Sequence, residues 1–195
     1  MTAARKDLGS WTVQNVLALP EDGARYELVD GALIMNPPPS PRHQDLSFRL
    51  HTMLRDAAHS VGAQVRIWEG VGVRLAGDQL LIPDLTVATS DLSKSSQLLI
   101  EPPAVRLVVE IVSPGSRTRD RTEKPYLYAE AGIPHFWRIE TEDYRGRTKP
   151  LPLIITHELV GLGEYEVTRI VGAGEILSAT EPIPIKLDPA TLRVT

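Results

Sequence analysis

The 195-residue sequence contains no cysteine. Disulfide staples and thiolate zinc sites are thereby excluded. A chain of this length is long enough to be held by an ordinary buried core. No apolar run approaches the roughly 20 residues of a membrane span. The opening stretch, MTAARKDLGSW, lacks the apolar segment of a secretory signal. These absences point to the cytoplasm and to no membrane partner. A cationic excess is missing as well. Net charge is −4, so the whole chain does not advertise nucleic-acid binding, although a local positive cleft on an acidic protein stays open. There is no G-x-x-x-x-G-K-[ST] loop, no His-rich zinc motif and no serine nucleophile elbow. ATP use and serine-hydrolase chemistry are therefore disfavoured.

What is present reads as an α/β chain with a mixed sheet. Ser10 is placed to cap a short helix running to Leu19 and stopped by Pro20. RYELVDGALIM has the form of a hairpin, with Asp30-Gly31 in the turn. Ser40 and Pro41 open a longer helix as N-cap and first helical residue. Its apolar stripe is Leu46, Leu50, Met53, Leu54, Ala57 and Val61, and Gly62 closes it. AQVRIWE, GVRLA and LLIPDLTVAT read as strands, and VRLVVEIV is aliphatic enough to be central and covered on both faces. A helix then ends near Ala131, with Pro125 tolerable only if the regular helix starts late or its first turn is kinked. PHFWRIE completes a strand-helix-strand crossover over 105–140. LIITHEL, YEVTRI and IPIKL suggest added antiparallel strands. The expected organisation is one domain over 1–195: an N-terminal part to 62, a core over 63–140 and a β-rich extension over 141–195.

Two of these strands carry a lone acid, Asp84 after Pro83 and Glu110 among aliphatic residues. A buried, unpaired carboxylate is costly or becomes protonated. If the strands are neighbours, the two carboxylates can converge at one end of the sheet, where a divalent cation would remove that cost. Mg²⁺ is commonly held by one or two carboxylates, waters and a substrate phosphate. Such a cation can activate water and stabilise phosphoryl charge. Lys124 follows on the next helix, and Asp120, Lys124 and Tyr128 share a helical face at spacings of four. Taken singly, each residue has an ordinary explanation: a strand-end Asp facing water, a loop-anchoring Glu, a solvated Lys. In combination they suggest a site.

The strings IPDLTV, LVVEIVSPGSRTRD and EKPYLYAEAGIPHFW, with YELVDGALIMNPPPSPRH upstream, resemble the Uma2 family, also called DUF820, of restriction-endonuclease-like proteins. The resemblance spans roughly residues 11 to 140. It implies a restriction-endonuclease-like fold, with a mixed sheet flanked by helices, and a relation to the PD-(D/E)XK nucleases. It also implies Mg²⁺- or Mn²⁺-dependent hydrolysis of phosphodiesters. By the same resemblance, Asp84 and Glu110 are the metal-binding acids and the main-chain carbonyl of Ile111 is a further ligand. Val112 stands where the motif has lysine, and Lys124 is similar to a lysine migrated to the following helix.

Other residues remain two-sided. Glu27 is either an additional acid of the site or a strand-exposed charge. His43 would approach a phosphate, position water or simply anchor neighbouring loops. Asp120 either orients Lys124 or forms a plain i,i+4 pair. The stretch SRTRDRTEK has a local balance of +2, so Arg117, Arg119 and Arg121 are candidates to hold a phosphate backbone without reading bases. Trp68, Tyr126, Phe136 and Trp137 read as core or sheet-face residues. The expected activity is a nuclease, with DNA favoured as substrate, working as a homodimer. The alternative is a nucleic-acid-binding or interaction module of the same fold without turnover.

Overall fold

The computed structural model describes residues 4–6, 10–20, 23–94, 98–161 and 163–193. Strand β1 (Ala4–Lys6) and helix α1 (Val13–Leu17) come first. The helix cap is Thr12 rather than Ser10: its side chain accepts from the Asn15 N–H, and the Asn15 side chain accepts from the Thr12 N–H. This reciprocal pair satisfies two free donors at once. Strands β2 (Arg25–Val29) and β3 (Ala32–Asn36) form the expected hairpin. Asp30 and Gly31 both adopt positive φ, 50° and 71°, as the tight turn of a right-twisted hairpin requires.

Helix α2 (Pro41–Ser60) is capped by Ser40, whose side chain accepts from the His43 N–H. Leu46, Leu50, Leu54 and Ala58 are buried, Met53 and Ala57 partly so, and Val61 lies outside the stripe at 53% exposure. Strands β4 (Val65–Glu69), β5 (Val73–Leu75), β6 (Gln79–Leu81), β7 (Leu85–Thr89) and β8 (Val105–Ile111) follow. The stretch LLIPDLTVAT is therefore not one strand. Its first part pairs with β2 and β5, its second with β4 and β8. Proline cannot donate to a ladder, and Pro83-Asp84 falls where the chain leaves one sheet for another.

Beyond β8, a wide π turn over Arg119–Glu123 leads into α3 (Lys124–Glu130). The Lys124 N–H bonds back five residues to the Arg119 carbonyl. Pro125 sits at the second position of α3, where its missing N–H is tolerated. Strand β9 (His135–Glu140) then runs parallel to β8. β10 (Leu153–Gly161), β11 (Glu164–Gly172), β12 (Leu177–Ala179) and β13 (Ile185–Leu187) are antiparallel additions.

The strands form a five-stranded sheet, β1-β3-β2-β6-β5, a mixed six-stranded sheet, β11-β10-β9-β8-β7-β4, and the β12-β13 pair. One face of β8 offers Leu107, Val109 and Ile111 to α2 and to the C-terminal residues Leu177, Ile183 and Ile185. The opposite face packs Val108 with Leu127, Tyr128 and Phe136, and with Val29, Ile34 and Leu81 of the five-stranded sheet. Fully burying a leucine such as Leu50 or Leu54 contributes roughly 2 kcal/mol. Phe136 and Trp137 are core, whereas Tyr126 is 55% exposed. Among the described residues, no helix is long and apolar enough to cross a membrane.

Candidate active site

A cleft of about 290 Å³ opens where the two large sheets meet. Antiparallel pairing of Leu85 with Val109 brings Asp84 alongside Glu110, and both line this cleft. Asp84 is held at both oxygens: Oδ2 accepts from the Ile111 N–H at 2.7 Å, and Oδ1 lies 2.9 Å from His43 Nε2. The first turn of α2 supplies His43. Burial opposes a charge on its imidazole, but the hydrogen bond and charge of Asp84 outweigh this and hold its pKa above the ordinary value.

Glu110 is 2% exposed. Its Oε1 accepts from Lys124 Nζ at 2.9 Å and from the Tyr128 hydroxyl at 2.6 Å. Among the described residues, nothing donates to Oε2. Lys124 Nζ also lies 3.2 Å from Glu27 Oε1 and 3.5 Å from Asp120 Oδ1. A single ammonium therefore stands among three buried carboxylates. The Ile82 N–H and Arg119, at 2.9 and 2.8 Å, complete the surroundings of Glu27. Ser116 donates to Asp120.

The electrostatics divide these acids. Burial raises the Glu27 carboxyl, but Lys124 and Arg119 outweigh it and hold its pKa at about 2. For Glu110, burial dominates over the Lys124 charge, and Asp120, Asp84 and Glu27 add to it, so its pKa stands well above the ordinary value. Asp120 is raised in the same sense by burial. Burial would lower Lys124, yet Glu110, Glu27 and Asp120 together keep its proton on, well above the usual lysine value. Two cations, Lys124 and Arg119, thus face three buried carboxylates, and the imbalance appears as the raised pKa values of Glu110 and Asp120.

The structure thus brings Asp84, Glu110, Lys124, Glu27, His43, Asp120 and Ile111 to one cleft. The arginines are disposed differently. Arg117 pairs with Glu142 at 2.7 Å, and Arg121 donates twice to the buried Glu140, at 2.9 and 2.7 Å. Neither lines the cleft. Arg119 does, but it is committed to Glu27 and to Glu123. Two other side chains belong to the site without having been singled out as candidates in the sequence. Tyr128 clamps Glu110, and its spacing of four from Lys124 was the available signal. Arg25 lines the cleft with no hydrogen bond or ion pair to another described residue. Its guanidinium lies across Gly70, where an added Cβ would come within 2.9 Å of it. A lone arginine before a strand carried no signal of this.

Among the described residues, no three His, Asp or Glu side chains stand in ligand geometry for a metal ion. The donor chemistry nevertheless fits a hard cation. Asp84, the free Oε2 of Glu110 and the Ile111 main chain offer oxygen at the cleft wall, and Mg²⁺ needs only one or two carboxylates besides water. His43 would have to yield Asp84 Oδ1.

A model of the Uma2 family, described as "Putative restriction endonuclease", matches residues 13–194. None of the curated proteins compared with the chain matches it. Among solved structures, the chain is similar to a protein described as "a putative nuclease belonging to DUF820" from Anabaena variabilis. The TM-score is 0.70 at 17% identity, covering 93% of this chain and 97% of that one. This likeness carries the fold, a mixed sheet with antiparallel strands flanked by helices, consistent with a restriction-endonuclease-like architecture.

Proposed function

The chain belongs to the Uma2 family, and from that premise we propose that it is a divalent-metal-dependent nuclease hydrolysing phosphodiester bonds, with DNA as the favoured substrate. The observation that carries this reading is the convergence of Asp84 and Glu110 on one cleft beside Lys124, where three buried carboxylates share two cations. Asp84, Glu110 and the Ile111 carbonyl would hold Mg²⁺ or Mn²⁺. When bound, that cation would supply positive charge for the phosphoryl oxygens and lower the pKa of water.

The remaining roles fall to the chain's own residues. Tyr128 and Lys124 fix Glu110 through Oε1 and leave Oε2 toward the cleft. Lys124 keeps its proton while the acids around it are uncompensated. Were a bound cation to cancel their charge, that hold would loosen and Lys124 could release its proton to solvent; only the resulting neutral amine could then take a proton from the attacking water. Asp120 and Glu27 orient the amine. The Arg25 side chain, over Gly70 and unpaired among the described residues, is suited to hold the scissile phosphate. A role for Arg117 and Arg121 would first require release from Glu142 and Glu140.

The test is cleavage of DNA and RNA substrates with Mg²⁺, with Mn²⁺ and with chelator. Parent protein should cut only in the metal arms. Asp84→Asn should stay folded and lose at least about 10²-fold in rate. Equal cutting with chelator, or by Asp84→Asn, refutes the proposal.

A second reading, a nucleic-acid-binding module without turnover, draws support from both Asp84 oxygens being engaged. Calorimetry with Mn²⁺ separates the two. Nucleic-acid binding without metal uptake favours the module.

A further inference from the structure

A second pocket, of about 220 Å³, is lined by Arg42, Leu46, Thr141, Leu151 and Arg193 among others, and by no acidic side chain among the described residues. In a chain of net charge −4 this is unusual, since the arginines of the Arg117–Arg121 turn are all neutralised by carboxylates. The Arg42 side chain makes no hydrogen bond or ion pair with another described residue. Arg193 donates Nε and Nη2 to the Leu151 carbonyl at 3.3 and 3.0 Å. The carbonyl holds that guanidinium in place while Asp188 offsets part of its charge from a distance.

The pocket adjoins the acid cleft. Ser40 and His43, in the cap and first turn of α2, face the cleft, while Arg42 in the same turn faces the second pocket. Thr141, in the second pocket, donates to the carbonyl of Val112 at 3.5 Å, next along the chain from Ile111 in the cleft wall. The first turn of the 20-residue α2 supplies Arg42 to this pocket, so the guanidinium sits close to the helix N-terminus, where positive potential adds to its own. The lining includes no aromatic side chain on which a base would stack. Its chemistry is that of a phosphate contact, which positions a strand without reading sequence.

We propose that the Arg42–Arg193 pocket binds a backbone phosphate of the same nucleic-acid strand whose scissile phosphate enters the acid cleft. This rests on the nuclease reading. It makes the substrate an extended strand running past the first turn of α2, not a mononucleotide.

The test is binding of labelled oligonucleotide and of inorganic phosphate, with chelator present to prevent turnover, from about 50 to about 200 mM salt. The Arg42→Gln/Arg193→Gln double variant should bind oligonucleotide at least about tenfold more weakly, with a salt slope shallower by roughly 1.5 to 2. Mn²⁺ affinity should match the parent and so report an intact fold. Arg42→Gln disturbs no hydrogen bond or ion pair and should show part of the loss alone, and Arg42→Glu should show more. If parent and double variant bind oligonucleotide equally with equal slopes, the subsite is refuted and the nuclease reading stands. If inorganic phosphate binding is lost in the variant while oligonucleotide affinity is unchanged, the site takes free phosphate and the strand is refuted. If the parent binds no oligonucleotide, both readings fall.

Discussion

Lys124→Met gives a direct measure of the charge balance in the cleft. Methionine keeps a comparable apolar stem and removes only the ammonium. Lys124 is 4% exposed, and the acids it faces, Glu27, Glu110 and Asp120, are 0, 2 and 1% exposed. Breaking a buried ion pair by deleting one partner costs about 3–5 kcal/mol. Two features limit the loss here. Glu27 retains Arg119 at 2.8 Å. Glu110 and Asp120 already have raised pKa values, so they can take up protons instead of remaining as stranded charges. At pH 8 the variant should therefore be less stable by about 3 kcal/mol. Its folded state then binds more protons than that of the parent, so the deficit should shrink toward pH 5. The assay is urea unfolding of both proteins in chelator at the two pH values. Mg²⁺ should stabilise the variant more than the parent, because a cation replaces the lost charge. A variant within about 0.5 kcal/mol of the parent at pH 8, or a deficit that grows at pH 5, refutes the argument.

Two further predictions concern stability away from the cleft. His157 is 7% exposed, with Nδ1 3.2 Å from the Phe136 carbonyl; burial, joined by the Arg138 charge, pushes its pKa down to about 4. Its neutral form therefore stabilises the fold fully above the unfolded pKa of about 6.5. That contribution, about 3 kcal/mol, is lost as pH falls toward 4. The difference in unfolding free energy between parent and His157→Gln should narrow over this window, and a constant difference would count against it. At Gly172, an added Cβ would come within 2.8 Å of Lys149 Cβ and 2.9 Å of the Pro150 carbonyl. Gly172→Ala should cost about 1–3 kcal/mol, and an unchanged melting curve would show that the loop yields freely.

Local chemistry made much of the fold legible. Asp30-Gly31 can hardly do other than turn, Ser40-Pro41 starts a helix, and the aliphatics of Val105–Ile111, interrupted by Arg106 and Glu110, require cover on both faces. The meeting of Asp84, Glu110 and Lys124 at one cleft was legible to the same depth, because these residues are conspicuous against apolar neighbours. What escaped depends on partners remote in sequence. Arg117 and Arg121 look free until β9 and the residues after it bring Glu140 and Glu142 to them. Arg25 acquires its position only when Gly70 slides beneath it. LLIPDLTVAT looks like one strand because hydrophobic patterning records burial but not which sheet does the burying. Ser10 and Thr12 are equally good caps by residue type. The choice went to Thr12 because Asn15 stands three residues on and can answer it.

The passage of the chain between sheets at Pro83-Asp84 bears on how the site comes into being. Glu27 belongs to the five-stranded sheet, whereas Glu110, Asp120 and Lys124 belong to the six-stranded one and its crossover. Asp84 is the hinge pin between them. Neither sheet alone assembles the cleft. The contacts joining them, Glu27 to Arg119 and Lys124, bridge nearly half the chain, and such remote closures carry a large loop entropy. The cleft should accordingly emerge as a late event in refolding, after each sheet has formed its own ladder, when the two slabs dock and the shared lysine finds acids from both.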